Sequence, residues 1–135
     1  MSSIVFADTS YYLELVNPAS SRHEAAVRWS RRARLRVVTT ELVLLELGNA
    51  LSRGSVNRAV FVNLLDLLRQ DREMRIIPAS SELFDRAAAL YRDRPDKDWS
   101  LVDCASFATM TDLAVKQALT TDHHFAQAGF DALLK

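Results

Sequence analysis

Four acidic residues, Asp8, Glu46, Asp103 and Asp122, each stand at the joint of a different segment of this 135-residue chain. Asp8 ends the apolar run Ile4-Val5-Phe6-Ala7. Glu46 lies inside the leucine-rich stretch Leu42 to Leu51. Asp103 follows Trp99-Ser100-Leu101-Val102, and Asp122 follows Ala118-Leu119-Thr120-Thr121. Gathered by a fold, they would line a pocket without a fixed positive partner. Such a pocket must hold cations or take up protons. A metal-dependent enzyme is therefore the leading reading.

Each acid also has a plainer reading. Asp8, in Asp8-Thr9-Ser10, has the chemistry of a helix N-cap. Glu46 has Leu42, Leu45, Asn49 and Ala50 as helical neighbours, which places it along an apolar, core-facing stripe. A carboxylate there needs an arginine, a metal ion or a raised pKa. Asn49, one turn on, points the same way and could hydrogen-bond a water on the outside of a metal site. Ser100-x-x-Asp103 has the spacing of a capping box, and a helix N-terminus keeps a carboxylate ionised. Asp98 is either an outer acid of the same site or a loop residue paired with Lys97 or an arginine. Asp122, before His123-His124, suits a turn or cap. The paired histidines suggest zinc, but a zinc site wants three or four nitrogen or sulfur ligands, and Cys104 is far away in sequence. An all-oxygen set suits Mg2+ or Mn2+.

The elements that must position these acids alternate. Short β-branched runs at Ile4–Ala7, Arg36–Thr39, Arg75–Ile77 and Gln117–Thr120 read as strands, with a short fifth over Phe130–Leu134. Helices are expected from Thr9 to Asn17, from a Ser20/Ser21 cap to about Ala33, and over Thr40–Leu51. Others follow over Asn57–Gln70, Ser81–Tyr91 and Ser100 to about Leu113, with a polar loop over Arg92–Lys97. Val60, Phe61, Leu64, Leu65 and Leu68 repeat at helical spacing, as core or as an interface. Strands separated by helices need crossovers. The expected fold is α/β, a three-layer sandwich with a mainly parallel central sheet of four to five strands. Such sheets place their sites at the strands' carboxyl ends, where Asp8 and Asp122 fall.

The length suits one domain spanning residues 1–135. The formal net charge is zero, so a nucleic acid would be held by a local patch rather than by global charge. Arg28, Arg31, Arg32, Arg34 and Arg36, interleaved with Trp29, form the densest basic run. They read as a solvated face or as a track for an RNA backbone, with Arg53 and Arg58 as further candidates. The single cysteine fits a reducing compartment. No membrane span or signal peptide is evident, and a cytoplasmic protein is expected.

With Asp8-Thr9-Ser10, Glu46-Leu47-Gly48-Asn49-Ala50-Leu51, Asp98-Trp99-Ser100-Leu101-Val102-Asp103-Cys104 and Leu119-Thr120-Thr121-Asp122-His123-His124-Phe125 in this order, the chain resembles the PIN-domain family. Within that family it resembles the VapC-type toxin ribonucleases. The resemblance implies a Mg2+- or Mn2+-dependent endoribonuclease, dimeric and neutralised by a cognate antitoxin whose tail lies across the site. Asp8 and Asp103 would bind the principal ion, with Glu46 and Asp122 completing the site. Ser10 and Thr121 would donate hydrogen bonds to carboxylates or phosphate.

Two other enzyme classes fit poorly. A haloacid-dehalogenase-like phosphatase wants an aspartate where Ser10 stands. A response-regulator receiver wants a phospho-accepting aspartate after a central strand and a lysine after a late one, but Pro78 follows the third strand and no lysine follows the fourth. A catalytically silent module that binds RNA or protein remains the alternative.

Overall fold

The computed structural model describes residues 3–134. Five strands, β1 (Ser3–Ala7), β2 (Leu35–Thr40), β3 (Met74–Ile77), β4 (Gln117–Leu119) and β5 (Asp131–Ala132), form one sheet in the order β3-β2-β1-β4-β5. Every pairing is parallel. Helices α1 (Thr9–Val16) and α2 (His23–Ser30) link β1 to β2, and α3 (Glu41–Ala50) and α4 (Ser55–Gln70) link β2 to β3. Helices α5 (Ser81–Asp93) and α6 (Leu101–Asp112) cross back to β4, and α7 (His123–Gln127) precedes β5.

The first two crossovers step outward from β1 in one direction, and the third returns past β1 to its other side. Right-handed connections put the two groups on opposite faces of the sheet. Central β1 accordingly has Val5, Phe6 and Ala7 all fully buried, as a strand covered on both faces requires. The direction of chain travel reverses between β1 and β4, and their carboxyl ends open the crevice where parallel sheets bind ligands. Asp8 follows β1 at this point, with its N–H bonded to the Leu119 carbonyl at the end of β4.

Local chemistry fixes the helices that reach the crevice. Thr40 caps α3 by accepting from the Val43 N–H at 3.1 Å. Ser100 and Asp103 form the expected capping box on α6. Gly48 lets α4 close on α3, because a Cβ there would meet the Phe61 ring at 3.1 Å. Helix α4 rides on the outside. It has no fully buried residue, and Val60, Phe61, Leu64, Leu65 and Leu68 pack half-buried against the core while Val56, Val62 and Leu67 face outward.

Several expectations need correction. Neither Ser20 nor Ser21 caps α2. Arg22 holds the N-cap position without a side-chain bond, and Ser20 instead donates to the Glu14 carboxylate. Helix α2 ends at Ser30, three residues early, because the chain must turn through Arg34 at φ 61° to enter β2. Helix α5 runs on to Asp93, shortening the polar loop. Helix α7 has five residues, too few to display a period, and no apolar repeat announced it.

Candidate active site

Asp8 stands at the N-cap position of α1 yet accepts no capping bond. Its carboxylate turns into the crevice. Oδ2 accepts from the Thr120 hydroxyl at 2.8 Å and the Ser10 hydroxyl at 3.0 Å. Those hydroxyls lie 3.0 Å apart, and Ser10 Oγ also accepts from the Thr121 N–H. Thr120, not Thr121, therefore supplies the hydroxyl beside the acid, and Thr121 contributes its backbone. Burial pushes the Asp8 carboxyl up from 3.8 to about 6. The hydroxyls of Thr120 and Ser10 and the Thr9 backbone oppose that rise, while the nearby charge of Asp103 adds to it.

Asp103 sits in the first turn of α6, buried, with Oδ2 accepting from the Ser100 N–H at 3.0 Å. The same oxygen lies 3.1 Å from His124 Nδ1, which is 3.3 Å from Asp122 Oδ1. Asp122 caps α7 by accepting from the His124 N–H at 2.9 Å. One imidazole thus spans two of the four acids. The sequence raised the paired histidines as zinc ligands, and His123 is exposed on the surface. His124 is an integral part of the site.

Glu46 reaches the site by a route different from the one its neighbours suggested. The buried stripe of α3 is Val43, Leu44 and Leu47, and Leu45 is 62% exposed. Glu46 lies on the flank of that stripe, only half-buried, because Leu42, Leu45, Asn49 and Ala50 are not themselves core residues. Its Oε1 accepts from the Thr9 hydroxyl at 2.6 Å, which ties α3 to the residue next to Asp8. Thr9→Val should free the Glu46 carboxylate and, where Glu46 serves a bound ion, lower metal affinity by about 10- to 100-fold, the usual effect of removing an outer partner of a ligand. Titrating Mn2+ into both proteins by calorimetry checks this, and equal affinities would show that the Thr9 bond is incidental.

The four acids share one pattern. The hydrogen bonds that hold each carboxylate gather on one oxygen, Asp8 Oδ2, Glu46 Oε1, Asp103 Oδ2 and Asp122 Oδ1. None of the four pairs with a lysine or arginine among the described residues. This donor set fits a hard divalent ion, which takes carboxylate oxygens and keeps several waters. Among the described residues, the set whose ligand atoms lie within 4.8 Å of one another is Asp122, His123 and His124. They share Asp122 with the acids and belong to the same site.

The other candidates scatter. Asn49 is exposed and makes no side-chain hydrogen bond among the described residues. Asp98 is exposed in the loop before α6, with no ion pair to Lys97 or an arginine among the described residues. Arg31, Arg32 and Arg34 lie at the amino end of β2, level with Ser3. Five residues of β1 separate that level from Asp8, about 16 Å of strand. Arg32 stacks on Trp29 at 4.2 Å. Arg28 is exposed on the last turn of α2, and Arg53 is exposed beyond the end of α3. The structure does not bring the basic run to the acids.

Comparison with known proteins gives the family and the fold. The chain is 29% identical over 128 residues to the 23S rRNA-specific endonuclease VapC20 of Mycobacterium tuberculosis, covering 94% of this chain and 95% of that protein. The crystal structure of M. tuberculosis VapC20, described as a Sarcin-Ricin loop cleaving toxin, superposes with a TM-score of 0.84 at 28% identity, over 98% of this chain and 100% of that one. FitAcB from Neisseria gonorrhoeae shares the fold alone, with a TM-score of 0.64 at 18% identity over 97% and 96% of the two chains. A family profile described as the PIN domain matches residues 5–131. With that match spanning nearly its whole length, the chain belongs to the PIN domain family.

Proposed function

We propose that this protein is a metal-dependent endoribonuclease acting as the toxin of a toxin–antitoxin pair. The observation that carries the reading is a linked set of carboxylates at the β1/β4 crevice: Thr120 holds Asp8, His124 joins Asp103 to Asp122, and Glu46 is tied to Thr9 beside Asp8, with no lysine or arginine pairing any of them among the described residues. The similarity to VapC20, a 23S rRNA-specific endonuclease, supports RNA as the substrate class. Asp8 and Asp103 are the direct ligands of Mg2+ or Mn2+, with Glu46 and Asp122 completing the site. When bound, such an ion lowers the pKa of a water and neutralises charge on the reacting phosphate.

The chain's own groups do the rest. Ser10 and Thr120 orient the Asp8 carboxylate, Thr9 orients Glu46, and the capping box orients Asp103. His124 holds Asp103 and Asp122 in one arrangement. Each acid is anchored through one oxygen and leaves the other for the ion or its waters. Burial of Asp8 keeps bulk water from diluting these interactions.

The partner of the pair is a protein antitoxin, and a homodimer completes the assembly. Among the described residues no helix is long and apolar enough to cross a membrane. The site of action is the cytoplasm, where RNA is found.

Incubating the protein with a mixed RNA pool tests the reading. Cleavage is expected with Mg2+ or Mn2+ and should stop with EDTA and in Asp103→Asn. Cleavage that survives both would overturn the metal mechanism. RNA binding without cleavage under every metal would instead favour a catalytically silent module.

A further inference from the structure

Beside the first turn of α6 lies a cleft of about 810 Å³, lined by Tyr91, Arg92, Arg94, Lys97, Trp99 and Leu101, together with Ser100, Cys104 and Asp98. Its position matters first. Ser100 and Cys104 belong to the turn that carries Asp103, and Ser100 caps it. Trp99 forms a buried wall and donates from Nε1 to Gln127 Oε1 at 3.1 Å, which ties the cleft to α7 behind Asp122. The cleft therefore adjoins the elements that hold two of the four acids.

Its chemistry matters next. Arg94 is committed: it grips Asp96 through two nitrogens at 3.0 Å and lies 5.0 Å over the Trp99 ring. It stiffens the loop. Arg92 and Lys97 have no ion pair among the described residues, although Asp96 lies near enough to Lys97 to feel its charge, so Arg92 and in part Lys97 are open to a ligand. Tyr91 is 53% exposed and offers a ring to that ligand. Asp98 is the only carboxylate of the lining. Basic groups with an open aromatic ring suit a single nucleic-acid strand, whose phosphates need cations and whose bases need π-surfaces.

We infer that this cleft is the track along which the RNA strand leaves the cleavage site, with Arg92 and Lys97 on its phosphates and Tyr91 stacked on a base. The inference rests on the nuclease reading and adds the residues that hold the substrate. It also replaces the Arg28–Arg36 run as that track, since Arg31, Arg32 and Arg34 lie at the far end of the sheet. Tyr91, Arg92 and Lys97 are binding residues and take no part in the chemical step.

The test is steady-state cleavage of a fluorescent single-stranded RNA, chosen from sites cut in the pool, by the full chain with Mn2+. Arg92→Glu/Lys97→Glu should raise KM by about 10-fold or more and leave kcat within about two-fold, because these groups bind ground and transition states alike. Arg92→Ala/Lys97→Ala should lower the slope of log KM against log salt by about 1.4, at roughly 0.7 per lost phosphate contact on a single strand. Tyr91→Ala should raise KM about five-fold or more while Tyr91→Phe should not, since the stacking face is retained. Arg31→Glu/Arg32→Glu serves as the distant control and should leave KM unchanged. These side chains are on the surface, and circular dichroism with the Mn2+-induced melting shift confirms folding of each variant.

If the wild-type protein cuts no RNA under any metal, the nuclease reading fails and this inference falls with it. If the wild type cuts and the charge-reversed variant has an unchanged KM, only the cleft assignment is overturned. If that variant instead loses binding to an oligoglutamate peptide, the cleft takes an acidic protein segment and the RNA assignment is likewise overturned.

Discussion

Asp8→Asn should abolish cleavage and, in the same molecule, raise thermal stability at neutral pH. The loss of activity is expected to be about 10³-fold or more, since the amide cannot serve as an anionic ligand for the ion. The gain in stability follows from burial. Folding lifts the Asp8 carboxyl from 3.8 to about 6, so the folded protein binds its proton more tightly than the unfolded chain. Stability from this group is full below pH 4, falls as pH rises through 6, and stays reduced above it. The shift corresponds to at most about 3 kcal/mol. Asparagine removes that penalty and keeps the local bonds, because Ser10 and Thr120 donate to a single oxygen that the amide carbonyl can replace. Melting in EDTA at pH 5 and 7.5 should show the wild type losing stability between the two and the variant changing much less. Mn2+ should raise the melting temperature of the wild type at pH 7.5 and not that of Asp8→Asn. A variant that melts lower than the wild type at pH 7.5 would refute the burial argument. One that still cuts RNA at the wild-type rate would refute Asp8 as a ligand.

Phe125→Ala carries the largest expected loss of stability, about 3–5 kcal/mol, against a total of about 5–15 for an ordinary domain. Phe125 is fully buried. Its ring meets Phe107 edge-on at 4.9 Å and Phe6 at 6.3 Å. These partners lie on α6 and β1, the elements that carry Asp103 and Asp8, while Phe125 itself follows His124 on α7. One side chain therefore packs together the supports of three acids. Alanine would leave a cavity at their junction and loosen α7, so activity should fall further than the folded fraction does. Urea unfolding beside cleavage assays checks both. Phe125→Leu should recover more than half of the lost stability, and a Phe125→Ala midpoint within error of the wild type would show that the aromatic junction is unimportant.

How far the sequence could be read depended on the kind of information each residue carries. The strands were visible because their runs are short and end at polar residues or, for β3, at Pro78. From them the parallel sheet followed, and with it the carboxyl-end location of Asp8 and Asp122. The capping box of Asp103 was legible because it is local, confined to Ser100-x-x-Asp103. The helical neighbours of Glu46 do not encode its position: Leu45, Asn49 and Ala50 are exposed, and its link to the crevice is a bond to Thr9, 37 positions away. His124 and Thr120 acquire their roles only through contacts with Asp103 and Asp8, and no spacing rule encodes those. The arginine run failed as an RNA track for a related reason. Density along the chain says nothing about which end of a sheet a segment occupies.

The exposed loop between α5 and α6 divides the four acids two and two. A chain opened there would leave Asp8 and Glu46 on one piece and Asp103 and Asp122 on the other. Neither piece alone would have enough carboxylates to hold the ion. Each should be harmless to a cell that cannot tolerate the whole enzyme. The two pieces meet along the β1–β4 seam, so restored RNA cutting would report their reunion, and a toxic enzyme could be handled as two inert parts.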